Sequence, residues 1–128
     1  MSSDVLDASA LLALLNAEQG SEQVQAALAA GATMSAVNLS EVVAKLSEAG
    51  LSEAAIRSVL DSLALDVVDF DADQAYDAGL LRQATKPAGL SLGDRACLAL
   101  AQRLGLPVVT ADRNWRHMQL GVTIRLIR

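Results

Sequence analysis

Four carboxylates in this chain have side chains and positions that suit shared chemistry: Asp7, Glu41, Asp94 and Asp112. Each one follows a short apolar run or falls in the first turn of the helix predicted after it. In an α/β fold such positions meet in one crevice at the carboxyl ends of the strands. Four converging carboxylates would make a site for a hard divalent cation, and ligation by oxygen alone favours Mg²⁺, with Mn²⁺ as a substitute.

Without a cation, this convergence has an energetic cost. Two carboxylates about 5 Å apart repel each other by roughly 3 kcal/mol at an effective dielectric constant of about 20. Some of the acids must then take up protons through raised pKa values, whereas a bound ion turns the repulsion into ligation. Such an ion can activate water for in-line attack on a phosphodiester. Because His117 is the only histidine, a metal-free reaction with paired imidazoles is disfavoured, and we expect His117 on the surface or in a turn.

Each acid taken alone also has a purely structural explanation. The first of the four directly precedes a predicted helix and could cap it, and the last could form an Asx turn as the chain leaves a strand. Glu41 and Asp94 resemble capping-box acids, because each stands three residues after a candidate cap residue, Asn38 and Ser91 respectively. The case for a metal site therefore rests on all four acids together.

Charge is distributed unevenly along the chain. The net charge is -5 overall, but residues 1–81 carry thirteen acidic and two basic residues, whereas residues 82–128 carry eight basic and two acidic ones. The two acids of the basic segment are Asp94 and Asp112. Arginines around them could bind phosphates, although a solvated basic surface explains the same composition.

The apolar periodicity changes repeatedly between short strands and longer helices, which predicts β-α alternation and a mostly parallel sheet covered on both faces. Strands are predicted at 4–6, 32–35, 65–68, 107–110 and 122–126, the last with an open position at a sheet edge. Helices are predicted at 8–18, 21–30, 37–49, 52–63, 71–85 and 91–105, with a loop at 86–90 containing a proline and a glycine.

Composition limits the possible classes of protein. A chain of 128 residues has the size of one domain, and we expect residues 1–128 to form it. The longest uncharged apolar stretch, residues 8–17, is too short to span a bilayer, so no membrane partner is expected. Cys97 is the only cysteine and can form neither an internal disulfide nor a zinc site with the single histidine. These features predict a soluble, cytoplasmic protein in a reducing compartment.

Four segments resemble the motifs of the PIN-domain nucleases. The first is VLDASALL from Val5, the second is NLSEV from Asn38, the third is LSLGDRACLALA from Leu90 and the fourth is VTADRNW from Val109. Each motif is weak by itself, but their order and spacing cover essentially the whole chain, and its size is that of VapC-type toxins. The resemblance implies an α/β fold, a single three-layer PIN-like domain with a four- to five-stranded, mostly parallel sheet flanked by helices.

The resemblance also implies an activity and a set of roles. The activity is that of a magnesium-dependent endoribonuclease, the toxin of a type II toxin–antitoxin pair, which cuts cellular RNA (tRNA, rRNA or mRNA) and thereby inhibits translation. Asp7 and Asp94 would be the principal metal ligands, Asp112 would complete the site directly or through water, and Glu41 would hold a metal-bound water or a second ion. Around these acids we expect two hydroxyls to orient the ligands and three arginines to contact phosphates: Ser9 and Thr110, and Arg113, Arg116 and Arg95.

The family further implies a cognate VapB-type antitoxin and a homodimer. Leu11, Leu12, Leu14 and Leu15 cover more of the first helix than one core-facing stripe needs. This extra apolar face fits a partner helix, but a first helix enclosed within its own domain explains it equally.

Two other functions are alternatives to the nuclease. A phospho-acceptor or nucleotide-binding α/β domain is opposed by the absence of an adjacent acidic pair after the first strand and of Gly-rich phosphate-binding motifs. A catalytically inactive PIN-like module that only binds RNA or protein is disfavoured because all four acids are present.

Overall fold

The structure, a computed structural model, describes residues 3–128. Its strands are β1 (Asp4–Leu6), β2 (Ala32–Ser35), β3 (Asp66–Val68), β4 (Val108–Thr110) and β5 (Ile124–Leu126). Its helices are α1 (Ala8–Leu15), α2 (Ser21–Ala29), α3 (Ala36–Glu48), α4 (Glu53–Asp61), α5 (Ala72–Leu80), α6 (Arg82–Thr85) and α7 (Leu92–Leu104). Short 3-10 turns cover Lys86–Ala88 and Arg113–Trp115. Of the expected single domain, residues 1 and 2 lie outside the described part.

The five strands form one sheet in the order β3-β2-β1-β4-β5, and every neighbouring pair is parallel. β1 is central: Val5 pairs with Thr33 of β2 on one side and with Val108 of β4 on the other. The strand order therefore reverses direction at β1. In open α/β sheets ligands bind at this reversal, beyond the carboxyl ends of the strands, and Asp7 and Asp112 follow the two strands that meet there.

Both faces of the sheet are covered, as the sequence pattern predicts. Successive side chains of a strand point to opposite faces, so Leu6 packs into the cluster under α1 to α4 while Val5 packs against α7. Val109 and Val108 divide between the two faces in the same way. The three-layer α/β prediction is therefore confirmed, and the mostly parallel sheet proves to be entirely parallel.

Two predicted helices, 8–18 and 71–85, differ most from their sequence pattern, because one ends early and the other is divided. The first stops at Leu15 because Ala17 takes a left-handed conformation with φ 52°, which L-residues other than Asn and Asp rarely adopt. The predicted helix 71–85 is split near Leu81 into α5 and α6. At the end of α5, Nη1 of Arg95 donates a hydrogen bond to the carbonyl of Ala78, and such side-chain donors stabilise helix ends.

The leucines of α1 lie mostly within the domain. Leu11 is fully buried, and Leu12, Leu14 and Leu15 are half-buried against the same core cluster. Since α2 packs directly on α1, the enclosed-helix explanation accounts for most of this apolar face. The last strand, β5, forms an edge of the sheet beside β4. No helix within residues 3–128 is long and apolar enough to cross a membrane.

Candidate acidic active site

Asp7 is the most enclosed of the four acids. It ends β1 and caps α1, with its Oδ1 accepting a hydrogen bond of 2.9 Å from the amide of Ala10. The hydroxyls of Ser9 and Thr110 also donate to its carboxylate. Only 4% of the residue is exposed, and burial raises its pKa from 3.8 to about 6, against the lowering effect of these hydrogen bonds and with a further small rise from the charge of Asp94. The carboxylate is held in one position but ionises reluctantly.

Asp112 stands where β4 ends, beside Asp7. Its Oδ1 accepts from the amide of Asn114 at 2.9 Å, and its own amide donates to the hydroxyl of Thr110 at 3.0 Å. The 3-10 turn that follows is anchored by Trp115, which is fully buried in the cluster under α7. The Asx-turn explanation of Asp112 therefore holds, and this turn leaves the second carboxylate oxygen without a hydrogen bond from residues 3–128.

Asp94 forms a true capping box at the start of α7. Its Oδ2 accepts from the amide of Ser91 at 3.0 Å, and the Ser91 hydroxyl accepts from the amide of Asp94 at 3.2 Å. One carboxylate oxygen is engaged in this cap. The other accepts no hydrogen bond from residues 3–128, and Asp94 lines the cleft that holds the other acids, so capping and ligation are compatible.

Glu41 does not have the capping role that its spacing from Asn38 allowed as an alternative explanation. The cap of α3 is Ser35, whose hydroxyl accepts from the amide of Val37, so Glu41 lies in the second turn of the helix and is no capping-box acid. Asn38 is instead buried within α3, and its Nδ2 donates to Oε1 of Glu41 at 2.8 Å and to the carbonyl of Gly93 at 3.0 Å. The interaction belongs to the contact between α3 and α7, which the sequence pattern does not reveal.

All four acids line one cleft of about 220 Å³ at the carboxyl edge of the sheet. Cys97 is buried, and burial raises the pKa of its thiol well above the usual range. The charges of Asp7, Asp94 and Glu41 raise this pKa further, which indicates that the three acids lie near the same thiol. Yet no three acidic, cysteine or histidine side chains of residues 3–128 stand in a geometry that would hold a metal ion without movement. The cleft therefore gathers the acids but does not preform the predicted cage.

The donor set nonetheless fits a hard divalent ion. The acceptors in the cleft are the carboxylate oxygens of the four acids. Near them, the buried Oδ1 of Asn38 finds no hydrogen-bond partner among residues 3–128. Buried acceptors of this kind are normally satisfied in folded proteins. Asp94 and Glu41 are less enclosed than Asp7 and line the same cleft.

The three predicted arginines differ in their surroundings. Arg113 and Arg116 follow Asp112 and are exposed. Nε of Arg113 donates a hydrogen bond to the carbonyl of Arg128, and Nε of Arg116 donates one to Nε2 of His117. His117 is exposed, as expected. Arg95 is half-buried and bonded to the carbonyl of Ala78. Because Arg113 and Arg116 are more exposed than Arg95, they are the stronger candidates for phosphate contacts.

Lys45 also lines the cleft, although the sequence motifs do not identify it as a site residue. It lies one helical turn after Glu41, lines the same cleft, and has 66% of its side chain exposed beside Glu48 at 3.9 Å. Its position four residues after a candidate site acid on a helix was the available signal. It places a cation on the otherwise acidic α3 wall.

A second, larger cleft of about 760 Å³ lies between α3, α4 and the β3 edge. Its walls are mainly apolar, with Leu39, Val43, Ile56 and Leu60 among them. None of the four candidate acids lines it. The four candidate acids, among them the buried carboxyl with a raised pKa, therefore share the smaller cleft.

Comparison with known proteins agrees with the fold and with the motifs. The model of the PIN domain family matches residues 5–120. Ribonuclease VapC42 of Mycobacterium tuberculosis is 30% identical over 125 residues, which cover 91% of this chain and 95% of the relative. Two solved structures share the fold: a toxin-antitoxin complex from Klebsiella pneumoniae (TM-score 0.79, 20% identity, 98% of both chains) and DNA-bound VapBC from Salmonella typhimurium (TM-score 0.76, 21% identity, 100% of both chains).

The five-stranded, all-parallel α/β fold is the one that these solved structures share, and the family model places the chain among PIN-like domains. The chain belongs to the PIN-domain family, and its curated relatives place it with the VapC proteins.

Proposed function

We propose that this protein is a magnesium-dependent endoribonuclease that acts as the toxin of a toxin–antitoxin pair and cleaves cellular RNA. The observation that carries the proposal is the single cleft lined by Asp7, Glu41, Asp94 and Asp112, which come from four separate parts of the chain. The relative VapC42, which is 30% identical, is named a ribonuclease, and this supports the proposed reaction class.

Each side chain has a role in this proposal. Asp7 and Asp94 are the principal ligands of Mg²⁺, Asp112 completes the site, and Glu41 orients water or binds a second ion. When bound, a hard divalent ion supplies the positive charge that activates water and stabilises charge developing on phosphodiester oxygens. Ser9 and Thr110 fix the Asp7 carboxylate through their hydrogen bonds, since ligating carboxylates need orienting partners.

The substrate contacts are proposed on the rim of the cleft. Arg113 and Arg116 follow Asp112 along the chain, and Lys45 lines the cleft from α3. Cations around an acidic cleft fit a polyanion that crosses it, because its phosphates gain contacts outside the site of ion binding. Arg95 is a weaker third arginine, for the reason given above.

RNA cleavage by the purified chain tests the proposal. With total tRNA and rRNA as substrates, we expect cutting in Mg²⁺ or Mn²⁺ and none in EDTA. Asp7→Asn and Asp94→Asn should abolish cutting, whereas Asp71→Asn, which alters the exposed cap of α5 outside the cleft, should not. Cutting that persists in EDTA and in both site variants would rule out a metal-dependent nuclease.

The proposed partners are a VapB-type antitoxin and a second copy of the chain. The solved structures with this fold include a toxin-antitoxin complex and a DNA-bound VapBC, which supports the first. Exposed apolar side chains on α5, Tyr76 and Leu80 at 73% and 79% exposure, are the natural positions to alter when the dimer is tested by sedimentation. Co-expression with the product of a neighbouring gene, followed by co-purification and loss of ribonuclease activity, tests the antitoxin.

The alternative is a PIN-like module that binds RNA or protein without cleaving it. The same cleavage assay separates the two, because a binding module would retain RNA in a shift assay and leave it uncut in Mg²⁺. The buried, reluctantly ionised Asp7 favours the nuclease, since a pure binding surface has no need of a buried carboxylate among other acids.

A further inference from the structure

Glu41 is an exposed side chain with an unusual set of neighbours. Its Oε1 accepts a hydrogen bond from Nδ2 of Asn38, which is only 1% exposed. A Cβ atom added to Gly93 would lie 2.5 Å from Oε1 and 2.6 Å from Cδ of the same side chain, and closer still to its Oε2. The carboxylate therefore rests directly over the first turn of α7, in space that exists only because residue 93 has no side chain.

Asn38 links Glu41 to the first turn of α7. The same Nδ2 group also donates to the carbonyl of Gly93 at 3.0 Å, across 55 residues of sequence. Both partners are acceptors, so the amide can take only this orientation, since the opposite one would set its oxygen against two other oxygens. Ser35 already caps α3, so the Asn38 side chain is not needed for that purpose.

We infer that Asn38 and Gly93 form a seat that positions the Glu41 carboxylate beside Asp94 for the cation and its water. The seat comprises the Nδ2 group of Asn38, the carbonyl of Gly93 and the bare Cα of Gly93. Nδ2 of Asn38 donates to Oε1 of Glu41, and both carboxylate oxygens lie over the bare Cα of Gly93. The Oδ1 of Asn38 is buried and has no hydrogen-bond partner among residues 3–128. Asn38 and Gly93 are positioning residues, because they act through Glu41.

The physical effect of the seat is preorganisation. A free glutamate on a helix surface samples many rotamers, and fixing it at the moment of ion binding costs conformational entropy. A partner that already holds the side chain removes part of this cost, and loss of such supporting contacts typically lowers metal affinity about 10–100-fold. The inference rests on the proposed metal-dependent function, so its test has one arm without metal.

The first arm measures the seat in metal-free protein by NMR. We expect Glu41→Ala to shift the side-chain amide proton resonances of Asn38, whereas Glu48→Ala, an exposed acid of the same helix, leaves them unchanged. Unfolding measurements test the steric contribution of Gly93 to the seat. Gly93→Ala should be tolerated better in the Glu41→Ala background than in the wild type, because the three nearest atoms to the new methyl group all belong to Glu41.

The second arm measures Mn²⁺ affinity by calorimetry and by the EPR signal of the bound ion. Asn38→Ala and Gly93→Ala should each weaken binding on the order of 10-fold. In a Glu41→Ala background neither should weaken it further, because the seat acts only through Glu41. Gln74→Ala and Gly79→Ala are matched controls: Gln74 is a buried helical amide outside the cleft, and a Cβ at Gly79 meets nothing within 4 Å.

The outcomes separate the two proposals. Unchanged Asn38 resonances in Glu41→Ala, or equal affinity losses with and without Glu41, would overturn the seat. A wild-type protein that binds no divalent ion would overturn the proposed function, and the metal-free NMR and unfolding cycle would then still decide whether the seat exists.

Discussion

The hydroxyl of Thr110 donates a hydrogen bond to Oδ2 of Asp7, joining the carboxyl ends of two neighbouring strands across 103 residues of sequence. The same hydroxyl accepts a hydrogen bond of 3.0 Å from the amide of Asp112. One side chain thus orients a buried acid and the start of the loop that carries a second acid. The position of the two acids relative to each other is set by the β1–β4 pairing and this contact.

Thr110→Val tests the contact, because valine keeps the shape of threonine and removes the hydroxyl. A buried carboxylate that loses a donor is destabilised by roughly 1–3 kcal/mol, so we expect a lower free energy of unfolding at pH 8. The loss should shrink at pH 5, where Asp7 is largely protonated. Urea unfolding of metal-free protein at both pH values measures this.

Thr33→Val is the matched control for that comparison. Thr33 is also fully buried, but its hydroxyl donates to the backbone carbonyl of Asp66, which does not titrate. Its loss should be the same at both pH values. A Thr110→Val effect that is equally independent of pH would contradict the assigned coupling to the Asp7 carboxylate.

Asp7 should also make the stability of the metal-free protein depend on pH. Its pKa is raised from 3.8 to about 6 in the folded state, so folding favours its protonated form. The stability gained in this way is complete below the unfolded pKa and is lost as the pH rises through about 6. A shift of this size corresponds to roughly 3 kcal/mol.

The difference between wild type and Asp7→Asn isolates this contribution. In EDTA, the variant should become the more stable protein as the pH rises from 5 to 8, since an amide can still cap α1 without a charge. Asp71→Asn, at the exposed cap of α5, should show no such change near pH 6. Parallel stability curves for wild type and Asp7→Asn would show that the carboxylate ionises freely in the folded protein.

Mg²⁺ should stabilise the fold, and more strongly at high pH. A ligand at 100 times its dissociation constant adds about 2.7 kcal/mol by mass action, but the ion must compete with the proton on Asp7. We therefore expect a larger rise in Tm with Mg²⁺ at pH 8 than at pH 5.5. Asp94→Asn should lose most of this rise.

Ser91→Ala controls for damage to the α7 cap. It removes the hydroxyl that accepts the Asp94 amide and should cost about 1 kcal/mol, but it keeps the Asp94 charge and hence the Mg²⁺ response. If Ser91→Ala abolished the response as fully as Asp94→Asn, the ion effect would depend on the helix cap instead of on ligation.

The sequence predicts the fold class and the convergence of the acids because both follow from local patterns. Alternating strands and helices require parallel pairing, and parallel pairing brings Asp7 and Asp112 to one edge. The fixed spacing of Ser91 and Asp94 likewise predicts the capping box that the structure contains. These features depend on residues that are near one another in sequence or on a general rule of sheet topology.

The remaining features depend on packing between distant elements. Asn38 looks like a helix cap by spacing, but Ser35 starts α3 earlier and Asn38 turns toward Gly93 of α7. The split between α5 and α6 is accompanied by a bond from Arg95, 17 residues later, to the carbonyl of Ala78. The side-chain positions of the acids, which gather without forming a preformed metal shell, also cannot be derived from spacing.

RNA binding should depend on the cations around the acidic cleft. We expect Lys45→Ala and Arg113→Ala to weaken RNA binding and each to reduce the slope of log affinity against log salt by about 1, as loss of one phosphate contact does. Binding measured in Ca²⁺ or in the Asp94→Asn background avoids cleavage during the titration. Arg57→Ala is the matched control, because Arg57 is exposed and paired with Glu53 at 2.8 Å in the wall of the larger apolar cleft. An Arg57→Ala protein that loses as much affinity and salt dependence as Lys45→Ala would mean that RNA is bound by overall charge, and that the cations around the acidic cleft do not set its path.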